Sequence, residues 1–327
     1  MFRFQRVERE VPPADPRKLD VVILDMNFGV PNLGHDSLVH AVHESASSAL
    51  EKTDLEIRVL SFDIRRSAVM PPFDSERFML YIGTGGPGHL DPRRNDGVSE
   101  YSEGIVDRIE WEETLFDLYD RILADDEVAL LSYCHSFGLM CRWGGFADPV
   151  LREGDKAPSS GIVKNRLSEE AVRHPWFGRF ASELQESPLF RALDSRLFDL
   201  IPNGKGLPAG GSELAWEATP AGEQGEALTM FELARDPSGT MPRVFGANHH
   251  PEVVDLAHLE EVLDEKLDTG EVTPEWYEQR GTALRRYWNE PDVDERVRRT
   301  SSFTLLGILE FHLRRMARTQ SGESMAV

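Results

Sequence analysis

Cysteine is scarce in this chain: Cys134 and Cys141 are the only two among 327 residues. So few thiols exclude the disulfide framework that staples small secreted domains. If the segment between them is mostly helical, about 1.5 Å of rise per residue puts them roughly 10 Å apart, too far to bridge. The expectation is two reduced thiols in a cytoplasmic protein. Long apolar runs are also missing, since none approaches the ~20 residues of a membrane span. The opening MFRFQRVEREVPPADPRKLD has no continuous apolar segment behind its basic residues and does not read as a secretory signal. Positive charge is in deficit, with 36 Lys and Arg against 57 Asp and Glu and a formal net charge of −21. That balance opposes binding to nucleic acid, and it favours solubility over a membrane-surface role. No internal repeat or low-complexity stretch occurs. His40 and His43 lie three apart on an expected helix with no Cys or acidic ligand at matching spacing. They read as a solvated face, and neither a metal nor a cofactor is expected.

What is present is an alternation of apolar runs and helical patterns. Residues 1–19 read as an N-terminal arm ending in VPPADPRK. Val21–Leu24 read as a buried strand, 35–52 as a helix, the segment from Leu55 as a second strand, and Phe78–Ile82 as a third that runs into Gly85-Gly86-Pro87-Gly88. A helix over 101–124 and a fourth strand in VALLSY follow. Such alternation predicts an α/β fold with a doubly wound, mainly parallel sheet. Chemistry in such sheets sits at the C-terminal strand ends, which places Asn27, Gly85–Gly88 and Cys134 on one rim. A helix over 168–186 and strands in ALTMFELA and RVFGA complete a domain spanning 20–255. Residues 256–327 form a helical C-terminal extension, in which Thr273 reads as an N-cap with Pro274 at the first helical position. A long amphipathic helix ends the chain. Its apolar face predicts packing on the core or on a second copy as a homo-oligomer.

Two stretches carry chemistry. In VALLSYCHSFGLMCRWGG an apolar strand meets Cys134 between two small residues, Ser132 and Ser136, and then turns helical. A sharp strand-to-helix turn needs small residues on both sides and exposes its apex, as in a nucleophile elbow. A small core hydrophobe is an equal reading of this stretch alone. The second stretch, FGANHHPEVVD, supplies what a thiol nucleophile needs. His250 is a candidate base, and Glu252, two residues on and on the same side of extended chain, can orient it.

The sheet, the Gly-Gly-Pro-Gly turn, Cys134 and His250-Pro251-Glu252, in that order, resemble the class I glutamine amidotransferase family over roughly residues 20–255. The resemblance implies a flavodoxin-like sheet and a Cys134 nucleophile with His250 as base and Glu252 as its orienter. It implies an oxyanion hole from the backbone N–H groups of Gly86 and His135, with Gly85, Gly88, Ser136, Gly138 and His249 near the substrate. The implied activity is cysteine-dependent hydrolysis of an amide C–N bond through a thioester, releasing ammonia from glutamine or a glutamine-like small-molecule amide. Because the tail is too short to be an ammonia-using partner, either a separate subunit would receive the ammonia, or the protein would be a free-standing hydrolase of a γ-glutamyl-type amide. The chain departs from the family in reading Ser-x-Cys-x-Ser-x-Gly where the family has Gly-x-Cys-x-Gly-x-Gln, so Gly138 stands at the place of a substrate-holding Gln. His135 directly after the cysteine also resembles an intracellular-protease-like branch that takes its base from that position. A third reading keeps the fold as a non-catalytic binding or regulatory homologue.

Overall fold

The computed structural model describes residues 2–152, 159–288 and 292–322. Twelve strands are present among these residues: β1 (Phe2–Arg6), β2 (Lys18–Asp25), β3 (Glu56–Asp63), β4 (Leu80–Gly83), β5 (Ala129–Tyr133), β6 (Ala147–Leu151), β7 (Ser159–Leu167), β8 (Leu189–Arg196), β9 (Phe198–Pro202), β10 (Ser212–Ala218), β11 (Gln224–Arg235) and β12 (Pro242–Ala247). Ten of them form one sheet in the order β1-β3-β2-β4-β5-β12-β11-β10-β7-β8, and β6 pairs with β9 alone. From β1 to β12 every pairing is parallel. From β12 outward to β8 every pairing is antiparallel. The sheet is therefore mixed, with its parallel half leading by a single pairing.

The helices are α1 (Leu33–Ala49), α2 (Ile64–Ser67), α3 (Glu110–Ala124), α4 (His135–Gly144), α5 (Glu169–Arg173), α6 (Phe177–Glu183), α7 (Leu256–Asp268), α8 (Pro274–Tyr287), α9 (Val293–Ser301) and α10 (Gly307–Ser321). Val21, Val22, Ile23 and Leu24 are fully buried because helices cover both faces of β2, which explains its unbroken apolar run. One core joins α1, α6 and α10 to the sheet, and the other joins α3 and α4 to its opposite face.

Several elements differ from expectation. Phe2–Arg6, read as part of an arm, adds a parallel edge strand to β3; its side chains are largely exposed, so no apolar pattern announces it. Pro175 splits the helix expected over 168–186, since the residue before a proline disfavours helical ψ and His174 adopts φ −67°, ψ 138°. The helix expected from 101 begins at Glu110. At the C-terminus, Thr273 does cap α8 by accepting from Trp276 N. The final amphipathic helix packs on the chain's own core and contains a wider π-helical turn at Ser302–Leu306. Such turns leave carbonyls free for other donors. Here Thr304 O accepts from Tyr133 Oη at 3.0 Å and Phe303 O from Trp176 Nε1 at 2.8 Å. No helix among the described residues is long and apolar enough to cross a membrane.

Candidate active site

Three strand ends meet at the rim. β4 and β5 pair with Gly83 opposite Ser132, and β5 and β12 pair with Tyr133 opposite Ala247. The residues just beyond these strands, Gly85–Gly86, Cys134 and Asn248–His250, therefore arrive at one level. Cys134 sits at the β5–α4 junction with φ 50° and ψ −105°, a left-handed conformation that costs a non-glycine residue of order 1–3 kcal/mol. Hydrogen bonds on both sides hold it there: Cys134 N donates to Ala247 O at 3.0 Å, and Gly138 N to Cys134 O at 3.1 Å. Ser136 Oγ ties the new helix back to β4 through Thr84 O at 2.8 Å. Gly83 has no room for a Cβ because Ser136 fills that space. The sequence's small residues are thus explained by the elbow. Cys134 is partly exposed, whereas Cys141 is buried on α4 with its pKa pushed well above 9.0 by desolvation.

His250 and Cys134 converge on Gly85. A Cβ there would lie 3.0 Å from His250 Cε1 and 3.7 Å from Cys134 Sγ, so a larger residue would intrude between the two side chains. His250 Nδ1 bonds Glu252 Oε1 at 2.8 Å, and the Cys134 sulfur interacts with the same ring. Burial opposes charge on this imidazole, but the Cys134 sulfur and the Glu252 carboxylate outweigh it and raise the His250 pKa well above 6.5. His135 behaves oppositely. It is buried, and desolvation together with the Arg65 guanidinium drives its pKa well below 6.5, against a hydrogen bond with the Gly86 backbone.

The glycine turn is held from beneath by a charged side chain. Arg65, fully buried on α2, donates Nη1 to Met26 O at 2.8 Å and to Pro87 O at 2.7 Å, and grips Asp107 through Nε and Nη2. Asn95 bridges the same network by bonding both backbone groups of His89 and Asp107 Oδ2. A Cβ on Gly86 would strike the Met26 carbonyl, and one on Gly88, at φ +87°, would strike Asn95.

A cavity of about 410 Å³ opens beside the thiol, within the size range of small-molecule sites. Cys134, His135, His250, Gly86 and Gly88 line it. Gly85 borders the thiol as described, and Glu252 lies behind His250. The remaining expected site residues point elsewhere. Ser136 is engaged with Thr84, and His249 packs away from the cavity with Nε2 3.2 Å from Thr304 Oγ1. Gly138 faces Leu90, whose side chain occupies the space a Cβ would need. Among the described residues no three His, Cys, Asp or Glu side chains gather as a metal site.

Other lining residues carried no recognisable motif. Asp194, Ser195 and Arg196 come from the end of β8, and Trp276, Arg280 and Leu284 from α8 of the tail. Gly34 lies behind the site, where a Cβ would come within 2.7 Å of Glu252 Oε1. Their approach to the thiol depends on antiparallel pairing and helix docking across long stretches of sequence, which no local pattern encodes.

No described family model and no curated protein matches the chain. Among solved structures it is similar to the protein SMU.1228c, at 16% identity over 92% of this chain and 99% of that one, with a TM-score of 0.48. It is also similar to a glutamine amidotransferase from Thermotoga maritima, at 12% identity over 92% and 97% of the two chains and a TM-score of 0.45. A glutamine amidotransferase from Methylobacillus flagellatus aligns at 13% identity over 93% and 94%, with a TM-score of 0.46.

Proposed function

We propose that the protein is a cysteine-dependent amide C–N hydrolase of the glutamine amidotransferase type, with Cys134 as nucleophile, His250 as base and Glu252 as the group that orients it. The observation that carries this reading is the Cys134–His250–Glu252 line: a strained, partly exposed thiol beside an imidazole whose far nitrogen is bonded to a carboxylate. The raised His250 pKa favours an imidazolium paired with a thiolate, which is the reactive form of a cysteine nucleophile.

The thiolate attacks the amide carbon. Negative charge builds on the carbonyl oxygen, and the backbone N–H groups of Gly86 and His135, residues that line the cavity with Cys134, are the donors assigned to stabilise it. Imidazolium His250 then gives its proton to the departing nitrogen, ammonia leaves, and a thioester remains. Water, deprotonated by the now neutral His250, adds to the thioester, expels the thiolate and frees a carboxylic acid. Glutamine or a glutamine-like amide is the leading substrate, and a separate ammonia-accepting subunit is a compatible partner. His135 is a weaker candidate for the base, because burial and Arg65 hold its basicity low and no carboxylate is supplied with it. The test is ammonia release from L-glutamine by wild type, Cys134→Ala, His250→Ala and His135→Ala. Loss in the first two and retention in the third supports the reading. Loss with His135→Ala and retention with His250→Ala reverses the assignment.

A further inference from the structure

The helical tail supplies one wall of the cavity. Trp276, Arg280, Ala283 and Leu284 of α8 all line it. Their spacing of i, i+4, i+7 and i+8 puts them on one face of the helix. Trp276 and Leu284 also pack with Leu193, Val253 and Leu259, in an apolar cluster separate from the two main cores. Trp276 is only half-buried, so part of its indole stays open to a ligand. A charge interrupts this apolar stripe. Arg280 is exposed and lies one turn from both Trp276 and Leu284, with its guanidinium carbon 5.4 Å from the Trp276 ring centroid. It makes no ion pair with a carboxylate of the described residues, in a chain that carries 57 of Asp and Glu. Arg285 on the same helix, by contrast, meets Glu260 at 3.3 Å. The other arginine on the cavity, Arg196, is also compensated, by Asp194 at 3.3 Å, Asp199 at 3.5 Å and Glu217 at 2.8 Å. Charge is therefore balanced at β8 and left positive at the α8 wall.

We propose that α8 is the specificity wall of this site, selecting amides whose body carries both an apolar ring, for Trp276, and a carboxylate, for Arg280. The inference rests on the Cys134 reading, which sets the scissile amide in the same cavity, and deepens it. A volume of about 410 Å³ lies in the range of sites for drug-sized ligands, whose apolar bodies are oriented by a few polar groups. An aromatic face takes a flat apolar group well, and a guanidinium held over a ring still presents its N–H edge to a carboxylate. L-Glutamine has the carboxamide and an anion but no apolar body to cover the indole.

The experiment measures binding by calorimetry on the full chain carrying Cys134→Ala, and ammonia release on wild type. Three ligands share one carboxamide: Nα-phenylacetyl-L-glutamine, its α-methyl ester, and L-glutamine. The acid should bind about 10- to 100-fold more tightly than L-glutamine, the worth of burying a phenyl side chain. It should bind about fivefold more tightly than the ester, the worth of an ion pair partly open to solvent. Adding Arg280→Gln should bring acid and ester to within about twofold of each other. Equal affinity for acid and L-glutamine, equal affinity for acid and ester, or no binding of any of the three overturns the proposal, and none of these needs the Arg280 variant. So does a preference for the acid that survives Arg280→Gln. Binding in the expected order with no ammonia released by wild type would instead remove the catalytic reading of Cys134 and leave the ligand assignment standing.

Discussion

Leu90 stands where any side chain at position 138 would have to go: a Cβ built on Gly138 lies 2.5 Å from Leu90 Cδ1 and 2.7 Å from Cδ2. The space beside Gly138 is therefore filled by a residue from the loop after the glycine turn. Gly138→Gln should overpack this contact and lower stability by about 1–3 kcal/mol, with no gain in glutamine turnover. Adding Leu90→Ala should recover part of the stability. Urea unfolding and ammonia release on the three variants check this; a stable, more active Gly138→Gln contradicts it.

Glu252 is boxed in by Gly34, at the start of α1. A methyl group at Gly34 would press on Glu252 Oε1 and Asn32 Oδ1. Gly34→Ala should lower kcat by roughly 10-fold or more through displacement of the His250 orienter. Glu252→Gln should cost more, about 10²–10⁴-fold, as expected when the group holding a catalytic imidazole in its tautomer is changed. Steady-state kinetics on both variants decide the order.

Arg65 supports the turn that carries Gly86. Arg65→Met leaves Asp107 buried without its bidentate partner and two carbonyls without a donor. Breaking one side of such a pair costs about 3–5 kcal/mol. The expected outcome in denaturant unfolding is a loss of that order, with kcat reduced in the fraction that stays folded.

Acid should destabilise the protein through two histidines away from the reacting atoms. Desolvation lowers His249 and His312 from 6.5 to about 3, helped at His249 by His250 and Arg196 and at His312 by Arg315. Between these values the unfolded chain binds more protons than the folded one, so stability is full above about pH 6.5 and falls as pH drops toward 3. Each histidine contributes about 1.4 kcal/mol per pH unit across that window. His312 Nε2 lies 2.8 Å from Pro242 O, a contact His312→Gln can retain. That variant should show a shallower fall in unfolding free energy from pH 6 to pH 5; an unchanged slope contradicts the assignment.

The parallel half of the sheet and the elbow were legible because their signals are local. Val21–Leu24 and Ala129–Leu131 are apolar on both faces, and the small residues around Cys134 mark a tight turn. His250 and Glu252 were legible because two residues of extended chain suffice to join them. The antiparallel half was less so. β7 carries Lys164, Asn165 and Arg166 in sequence, and β10 carries Glu213 and Glu217, so neither reads as a buried strand. Asp194 looked like an ordinary polar residue in a strand. Only its pairing across β7 and the 3.6 Å approach of Ser195 O to the thiol bring it to the cavity. The tail helices read correctly as amphipathic, yet their docking over the site through Trp276 and Leu284 follows from packing alone.

The most direct test is the pH dependence of alkylation at each cysteine, resolved peptide by peptide, with buried Cys141 as the internal control. Beside His250 and partly exposed, Cys134 should far outpace buried Cys141. His250→Ala should slow it by about 10-fold or more at pH 6. A Cys134 that reacts no faster than Cys141, or one indifferent to His250→Ala, would contradict the central claim that these residues form a working nucleophile and base.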